Sequence, residues 1–270
     1  MKAVPTIRHE HFPSSYVPPR HVDVWLPPDH QQDGKTRCPV LYMHDGQNLF
    51  NPATSTHHIT WGVAEAATRL IAEKAIPPII IVGIWNCQRY AEYLPQRAFT
   101  GGVPAAHRAW LESAPRADRY LRFLVEELKP FIDAHYPTKP GADDTAVMGS
   151  SMGGLISLYA LCEYPQTFHK AGCVSTHWPA VENVILPYLE KALPPAGTHR
   201  LYFDYGTESL DAAYEPMQTA VDHLMQQKGY APHKDWLTRK FEGATHNEAA
   251  WRQRVHIPLT FLFANAAQPG

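Results

Sequence analysis

The sequence turns on Thr145-Ala146-Val147-Met148-Gly149-Ser150-Ser151-Met152-Gly153-Gly154-Leu155-Ile156-Ser157-Leu158-Tyr159-Ala160. A short apolar run leads into a Gly-x-Ser-x-Gly turn, and an apolar helical run follows. A strand that turns sharply into a helix strains the residue at the turn and pushes its side chain out at the strand end. Backbone passes close to backbone there, so Gly149 and Gly153 are expected where side chains have no room. Ser151 stands at the centre of the motif and is the expected nucleophile; Ser150 lies one position off the frame. A plain Gly/Ser-rich loop before a helix would explain the motif, but not the partners that follow it in order.

Downstream, residues 170–175 read as a strand, and residues 178–193 as a loop with a short helix. Leu201-Tyr202-Phe203-Asp204-Tyr205 is a strand ending at Gly206. A helix over 211–227 stops at Gly229, an edge strand alternates over 236–241, and a helix over 248–264 closes the chain. Upstream, Ile79-Ile80-Ile81-Val82-Gly83-Ile84-Trp85 is β-branched and uncharged, and Pro39-Val40-Leu41-Tyr42-Met43-His44 is a short run covered on both faces. Between them a helix over 61–73 is stopped by Pro77-Pro78. Residues 20–27 alternate as a half-buried antiparallel edge strand after an irregular, Pro-rich opening. Asp118 reads as the N-cap of a helix that buries Leu121, Leu124, Val125, Leu128, Phe131 and Ile132 and is kinked at Pro130.

This order predicts an α/β fold: a mostly parallel sheet with helices on both faces, led by antiparallel strands. No repeat or linker interrupts residues 1–270, which implies a single domain. The irregular stretch at about 86–117 is long enough to expect a lid or specificity loop.

The net charge of −2 gives no electrostatic case for nucleic acid or an anionic membrane as partner. The pairs His9/His11 and His57/His58 lack the helical spacing and carboxylate company of a zinc site, so no metal is expected. Cys38, Cys87, Cys162 and Cys173 form no C-x-x-C pair and no disulfide framework. Residues 1–11 carry no apolar signal segment, and no apolar run reaches membrane-spanning length, so a cytoplasmic protein is expected. Oligomeric state is not readable.

A serine hydroxyl is a weak nucleophile near neutral pH. It needs a base in hydrogen-bond reach, and the base needs an orienting carboxylate. His246 follows the last strand in a Gly/Thr/Asn loop and fits the base; His256 falls within the closing helix, and His44 lines the site without acting. The acid should follow Gly206. Glu208 and Asp211 both do, and Glu208 is favoured for its reach because Asp211 has a competing use as a helix cap. The tetrahedral intermediate needs two N–H donors. Met152, directly after the nucleophile, and Gln47, in the loop after the strand at 40–44, are the candidates. Trp61, Asn86 and Trp178 are candidates for lining an aromatic substrate pocket.

Taken together, Leu41-Tyr42-Met43-His44-Asp45-Gly46-Gln47-Asn48-Leu49-Phe50, Asn86 with Arg89, Glu92-Tyr93-Leu94-Pro95, Gly149-Ser150-Ser151-Met152-Gly153-Gly154, Gly206-Thr207-Glu208 and His246 resemble the putative-esterase branch of the α/β-hydrolases. That branch holds esterase D (S-formylglutathione hydrolase), feruloyl and enterobactin esterases and mycolyltransferases. The resemblance implies an α/β-hydrolase fold, no cofactor, Ser151 and His246 as nucleophile and base, and Gln47 and Met152 as the oxyanion hole. Many relatives carry the acid three residues past the loop glycine. That position is Ser209 here, so Glu208 and Asp211 stay open.

The reading is a carboxylic-ester hydrolase working through an acyl-serine on small aryl, acyl-carbohydrate or similar esters. An acyltransferase or thioesterase would use the same residues. A non-catalytic binding module on the same fold would be expected to have lost the serine or the histidine.

Overall fold

The apolar runs assemble the middle of one sheet, and the rest of the chain is arranged around them. The computed structural model describes residues 4–28, 36–103, 111 and 114–264. Its strands are β1 (Ile7–Phe12), β2 (Arg20–Trp25), β3 (Val40–His44), β4 (Ile80–Ile84), β5 (Thr145–Ser150), β6 (Lys170–Val174), β7 (Arg200–Gly206) and β8 (Trp236–Phe241). They form an 8-stranded sheet in the order β1-β2-β4-β3-β5-β6-β7-β8. β2 pairs antiparallel with both β1 and β4. From β4 to β8 every pairing is parallel. Residues of β3, β4 and β5 are buried throughout, as strands covered on both faces must be.

Helix α1 (Val63–Ala72) covers one face, over Leu41, Met43, Ile81 and Met148. The other face, carrying Tyr42, Val82, Val147 and Phe203, is covered by helices that begin later in the chain. After the short α2 (Arg89–Tyr93) come α3 (Ala117–Arg122), a π-helical stretch over Phe123–Leu128 and α4 (Lys129–His135). Helices α5 (Met152–Glu163), α6 (Ile185–Ala192) and α7 (Glu215–Gln227) complete that layer. Helices α8 (Glu248–Arg254) and α9 (His256–Phe263) close the chain, with α9 packed beside α1. Helix α5 is buried from Met152 through Cys162, so it shows no amphipathic stripe. No helix among the described residues is long and apolar enough to cross a membrane.

Several expectations change. Residues 7–12 are not irregular but form β1, which takes the sheet edge in place of β2. The stretch 86–117 contains α2 and a 3-10 turn over Gln96–Ala98; residues 104–110, 112 and 113 of the expected lid lie outside the described residues. Asp118 does not cap its helix. Arg116 holds that position, and Asp118 accepts the Tyr159 hydroxyl at 2.5 Å. The disturbance from Pro130, which cannot donate to the Glu126 carbonyl, coincides with the π-helical stretch before α4. Pro258 cannot donate to Arg254 either, and the closing helix is broken at Val255. The helix expected from 211 begins as a 3-10 turn over Ser209–Ala213.

Candidate active site

Parallel strands deliver their C-terminal ends to one edge of the sheet, where α/β folds place their sites. β5 brings Ser151 there with φ 60 and ψ −121, a conformation L-residues rarely adopt. The strain is held by bonds on both sides of the residue. Its N–H donates to the Val174 carbonyl at 2.9 Å, and its carbonyl accepts from Gly154, Leu155 and His177. Gly149 meets the need foreseen for it: a methyl there would lie 2.9 Å from the Gly153 carbonyl carbon. Gly153 itself has ordinary room, and the second tight position is Gly154, where a methyl would lie 2.8 Å from Thr176 Oγ1.

β7 and β8 carry the candidate partners. A side chain at Gly206 would collide with the Ala244 carbonyl, so only glycine lets the two loops dock. Thr207 and Glu208 N–H both donate to that carbonyl at 3.1 Å. The docking sets the turn over Ser209–Ala213 beside the loop that precedes α8. There His246 Nδ1 meets Asp211 Oδ1 at 2.5 Å. Asp211 Oδ2 accepts the Gly206 N–H and the Ser175 hydroxyl, each at 2.6 Å. Burial works to raise the Asp211 carboxyl, but the bonds from His246, Ser175 and Gly206 outweigh it and hold it below the usual range. An ionised Asp211 accepts the hydrogen bond from Nδ1–H and leaves the Nε2 lone pair free for proton transfer. Edge-on contacts with Trp251 and Tyr214 fix the plane of the His246 ring. Glu208, favoured from sequence for its reach, is exposed and has no ion-pair partner among the described residues. Its extended backbone precedes the 3-10 turn, whereas Asp211 lies inside the turn and is buried.

The loop after β3 is fixed by charge. Asp45, left-handed at φ 57, receives Arg89 Nη2 on Oδ2 at 2.7 Å, Arg89 Nε on Oδ1 at 3.0 Å and Asn86 Nδ2 at 2.8 Å. Burial would raise the Asp45 carboxyl, yet Arg89 holds it below the usual range. Gln47 Oε1 accepts the Asn86 N–H at 3.4 Å, and the Gln47 carbonyl accepts the Thr54 hydroxyl at 2.8 Å. Met152 N–H opens α5, where no carbonyl one turn earlier can take it. A cavity of about 660 Å³ opens between Tyr90, His177, Pro179, Leu210, Ala213 and Tyr214. His177 ties it to the site: its N–H donates to the Ser151 carbonyl at 3.2 Å, and its Nδ1 meets the Tyr214 hydroxyl at 2.7 Å. Burial, with His246 and Arg89 nearby, pushes the His177 imidazole down to about 4, so it is neutral at physiological pH.

The family model described as Putative esterase matches residues 15–257. The chain belongs to the putative-esterase family. It is an ester hydrolase, and its fold is the α/β-hydrolase fold. The esterase is 25% identical over 254 residues to the uncharacterized protein YbbA of Bacillus subtilis (strain 168), covering 90% of this chain and 92% of that one. It is 29% identical over 152 residues to the ferri-bacillibactin esterase BesA of the same organism, covering 52% of this chain and 48% of that one. An IroE-like serine hydrolase from Shewanella oneidensis matches with a TM-score of 0.72 at 19% identity, over 96% of this chain and 79% of that one, a likeness of fold.

Other candidate residues of the esterase have different places. Trp61 is 2% exposed and stacks on Trp251, and Trp178 is 1% exposed and donates to Gln218 Oε1 at 3.2 Å. Both rings belong to the core clusters on the two faces of the sheet and do not line the cavity. Asn86 is spent on Asp45. His44 is buried with Nδ1 on the Tyr120 hydroxyl at 2.8 Å, and burial pushes it down to about 3. Sequence reasoning missed Ser175, His177, Tyr214 and Arg254. The position of Ser175 at the end of the strand expected over 170–175, with His177 just past it, was the available signal.

Proposed function

We propose that this esterase hydrolyses small carboxylic esters bearing an aryl or comparably flat apolar group, through an acyl-serine intermediate. The observation that carries the reading is the 2.5 Å contact between His246 Nδ1 and the buried Asp211 carboxylate, at the sheet edge where Ser151 occupies a strained turn. Ser151 Oγ attacks the ester carbonyl while His246 Nε2 takes its proton. Asp211 stabilises the imidazolium. The oxyanion is held by the N–H groups of Gln47 and Met152, each such donor contributing about 3 kcal/mol in comparable sites. His246 then protonates the departing alcohol, and a water molecule, activated by the same Nε2, releases the acid. Tyr90, Leu210 and Tyr214 give the cavity a mainly apolar wall, which favours an aryl ester over an acyl-carbohydrate. The relative named as a ferri-bacillibactin esterase supports a small-molecule ester as substrate.

The test is p-nitrophenyl acetate turnover in wild type and Ser151→Ala, with peptide mass mapping of the quenched wild-type reaction. The variant should lose about 10⁴-fold or more in kcat while folding normally, and acetyl should map to Ser151. Undiminished turnover in the variant, or acetyl on another residue alone, would sink the reading.

A further inference from the structure

Behind Asp211 lies a second set of buried polar groups. Ser175 directly follows β6 with φ 41, and its N–H donates to the Asp204 carbonyl at 2.9 Å. Its hydroxyl has three partners: Asp211 Oδ2 at 2.6 Å, Trp251 Nε1 at 3.0 Å and Arg254 Nη2 at 2.8 Å. A hydroxyl has one proton and two lone pairs. Trp251 and Arg254 can only donate, so they fill the lone pairs, and the proton must point at Asp211. Arg254 also grips Asp204 through Nε at 3.2 Å and Nη2 at 3.0 Å, and Tyr202 donates to Asp204 Oδ2 at 2.9 Å. Nη2 of Arg254 also stands 3.9 Å from Asp211 Oδ2, within ion-pair range but too far for a hydrogen bond, so the Ser175 hydroxyl is the hydrogen-bonded link between them. Burial lifts the Asp204 carboxyl against the pull of Arg254, so its charge depends on the guanidinium. Two buried carboxylates thus share one buried cation. The cluster carries one net negative charge at rest, and an imidazolium at His246 neutralises it.

We propose that Ser175 and Arg254 are positioning residues of this esterase: the Ser175 hydroxyl relays the positive charge of Arg254 to Asp211, fixing the carboxylate and setting the basicity of His246. This rests on the Ser151–His246–Asp211 reading above. The charged and titratable groups around the pair are Asp204 and Tyr202 from β7, Arg254 from α8, His177 after β6, Tyr214 before α7 and, beyond His177, Arg89 from α2. His177 is neutral there, which leaves Arg254 as the permanent cation adjoining Asp211 among the described residues.

The experiment measures kcat and KM against pH with p-nitrophenyl acetate for wild type, Ser175→Ala, Arg254→Met and Arg254→Lys, with circular dichroism on each. Ser175→Ala and Arg254→Met both withdraw positive potential from Asp211, which favours the imidazolium. The midpoint of the acid limb should therefore rise by about half a pH unit or more, and kcat should fall about 10-fold with KM little changed. Arg254→Lys, keeping the charge, should hold the midpoint near wild type. Should alanine not tolerate φ 41, Ser175→Gly carries the same test. A folded Ser175 variant with the wild-type midpoint and kcat would overturn the proposal. Retained activity in Ser151→Ala would overturn the underlying reading, and this proposal with it.

Discussion

Arg89 donates from Nη2 to the carbonyl of Ser150, the residue before the candidate nucleophile, at 3.2 Å. The same guanidinium holds Asp45 in the loop after β3, so one side chain spans the serine turn and the loop that carries Gln47. Arg89→Met should therefore loosen the geometry of the proposed oxyanion donors, Gln47 and Met152, without removing either. A displacement on the ångström scale can cost about 10²-fold in rate. Steady-state kinetics on p-nitrophenyl acetate should show kcat down by about that factor and KM changed far less. A kcat equal to wild type would mean that each loop holds its place unaided.

Asp211 and Glu208 are three positions apart and make opposite predictions. Asp211→Asn keeps the volume but cannot hold the Nδ1–H tautomer of His246, and kcat should drop on the order of 10⁴-fold. Glu208→Gln alters an exposed side chain and should leave kcat intact and stability within about 0.5 kcal/mol. Reversed results in the two variants would move the acid to Glu208.

His44 connects the site to acid stability. Its imidazole is pushed from an ordinary 6.5 down to about 3, chiefly by burial. The unfolded chain therefore binds a proton at this residue that the folded chain refuses. The stability it contributes is complete above pH 6.5 and is lost as pH falls toward 3. His44→Phe keeps an aromatic ring between Tyr93 and Tyr120 and removes a buried Nε2 that has no hydrogen-bond partner among the described residues. Melting temperatures from pH 7 to pH 4 should fall less steeply in the variant. Identical slopes would show that other groups carry the acid sensitivity.

Leu210 is 55% exposed at the rim of the 660 Å³ cavity, unusual for so large an apolar side chain. Leu210→Glu should lower kcat/KM for 1-naphthyl acetate about 10-fold relative to ethyl acetate, the size of effect an apolar pocket contact supplies. An unchanged ratio between the two esters would place the alcohol group elsewhere.

The central strands were legible because a parallel strand covered on both faces must be apolar throughout, as β3, β4 and β5 are. Ser151 and His246 were singled out by turn chemistry and chain order, and the fold sets Ser151 in a strained turn and His246 against a buried carboxylate. β1 was not, since an exposed edge strand reading Ile-Arg-His-Glu-His-Phe carries no apolar alternation. The approach of Asp211 to His246 depends on a turn that opens with Ser209 at φ 61, a backbone choice that composition does not announce. Trp61 and Trp178 show a further limit: an aromatic residue near a site reads the same whether it lines a cavity or supports it from beneath. Ser175 escaped notice because its importance lies in three partners drawn from distant segments.

The strand order gives the two halves of the proposed machinery unequal anchorage. Ser151 leaves β5, which is bonded to β3 on one side and β6 on the other. His246 follows β8, the last strand, bonded to β7 alone and exposed at Arg239 and Lys240. Fraying begins at such margins and costs far less than global unfolding. Warming should thus loosen the proposed general base while the serine turn is still intact, so the enzyme should go silent reversibly before it melts. Activity should then fade at a temperature below the unfolding midpoint, which activity and circular dichroism followed over the same temperature ramp would check.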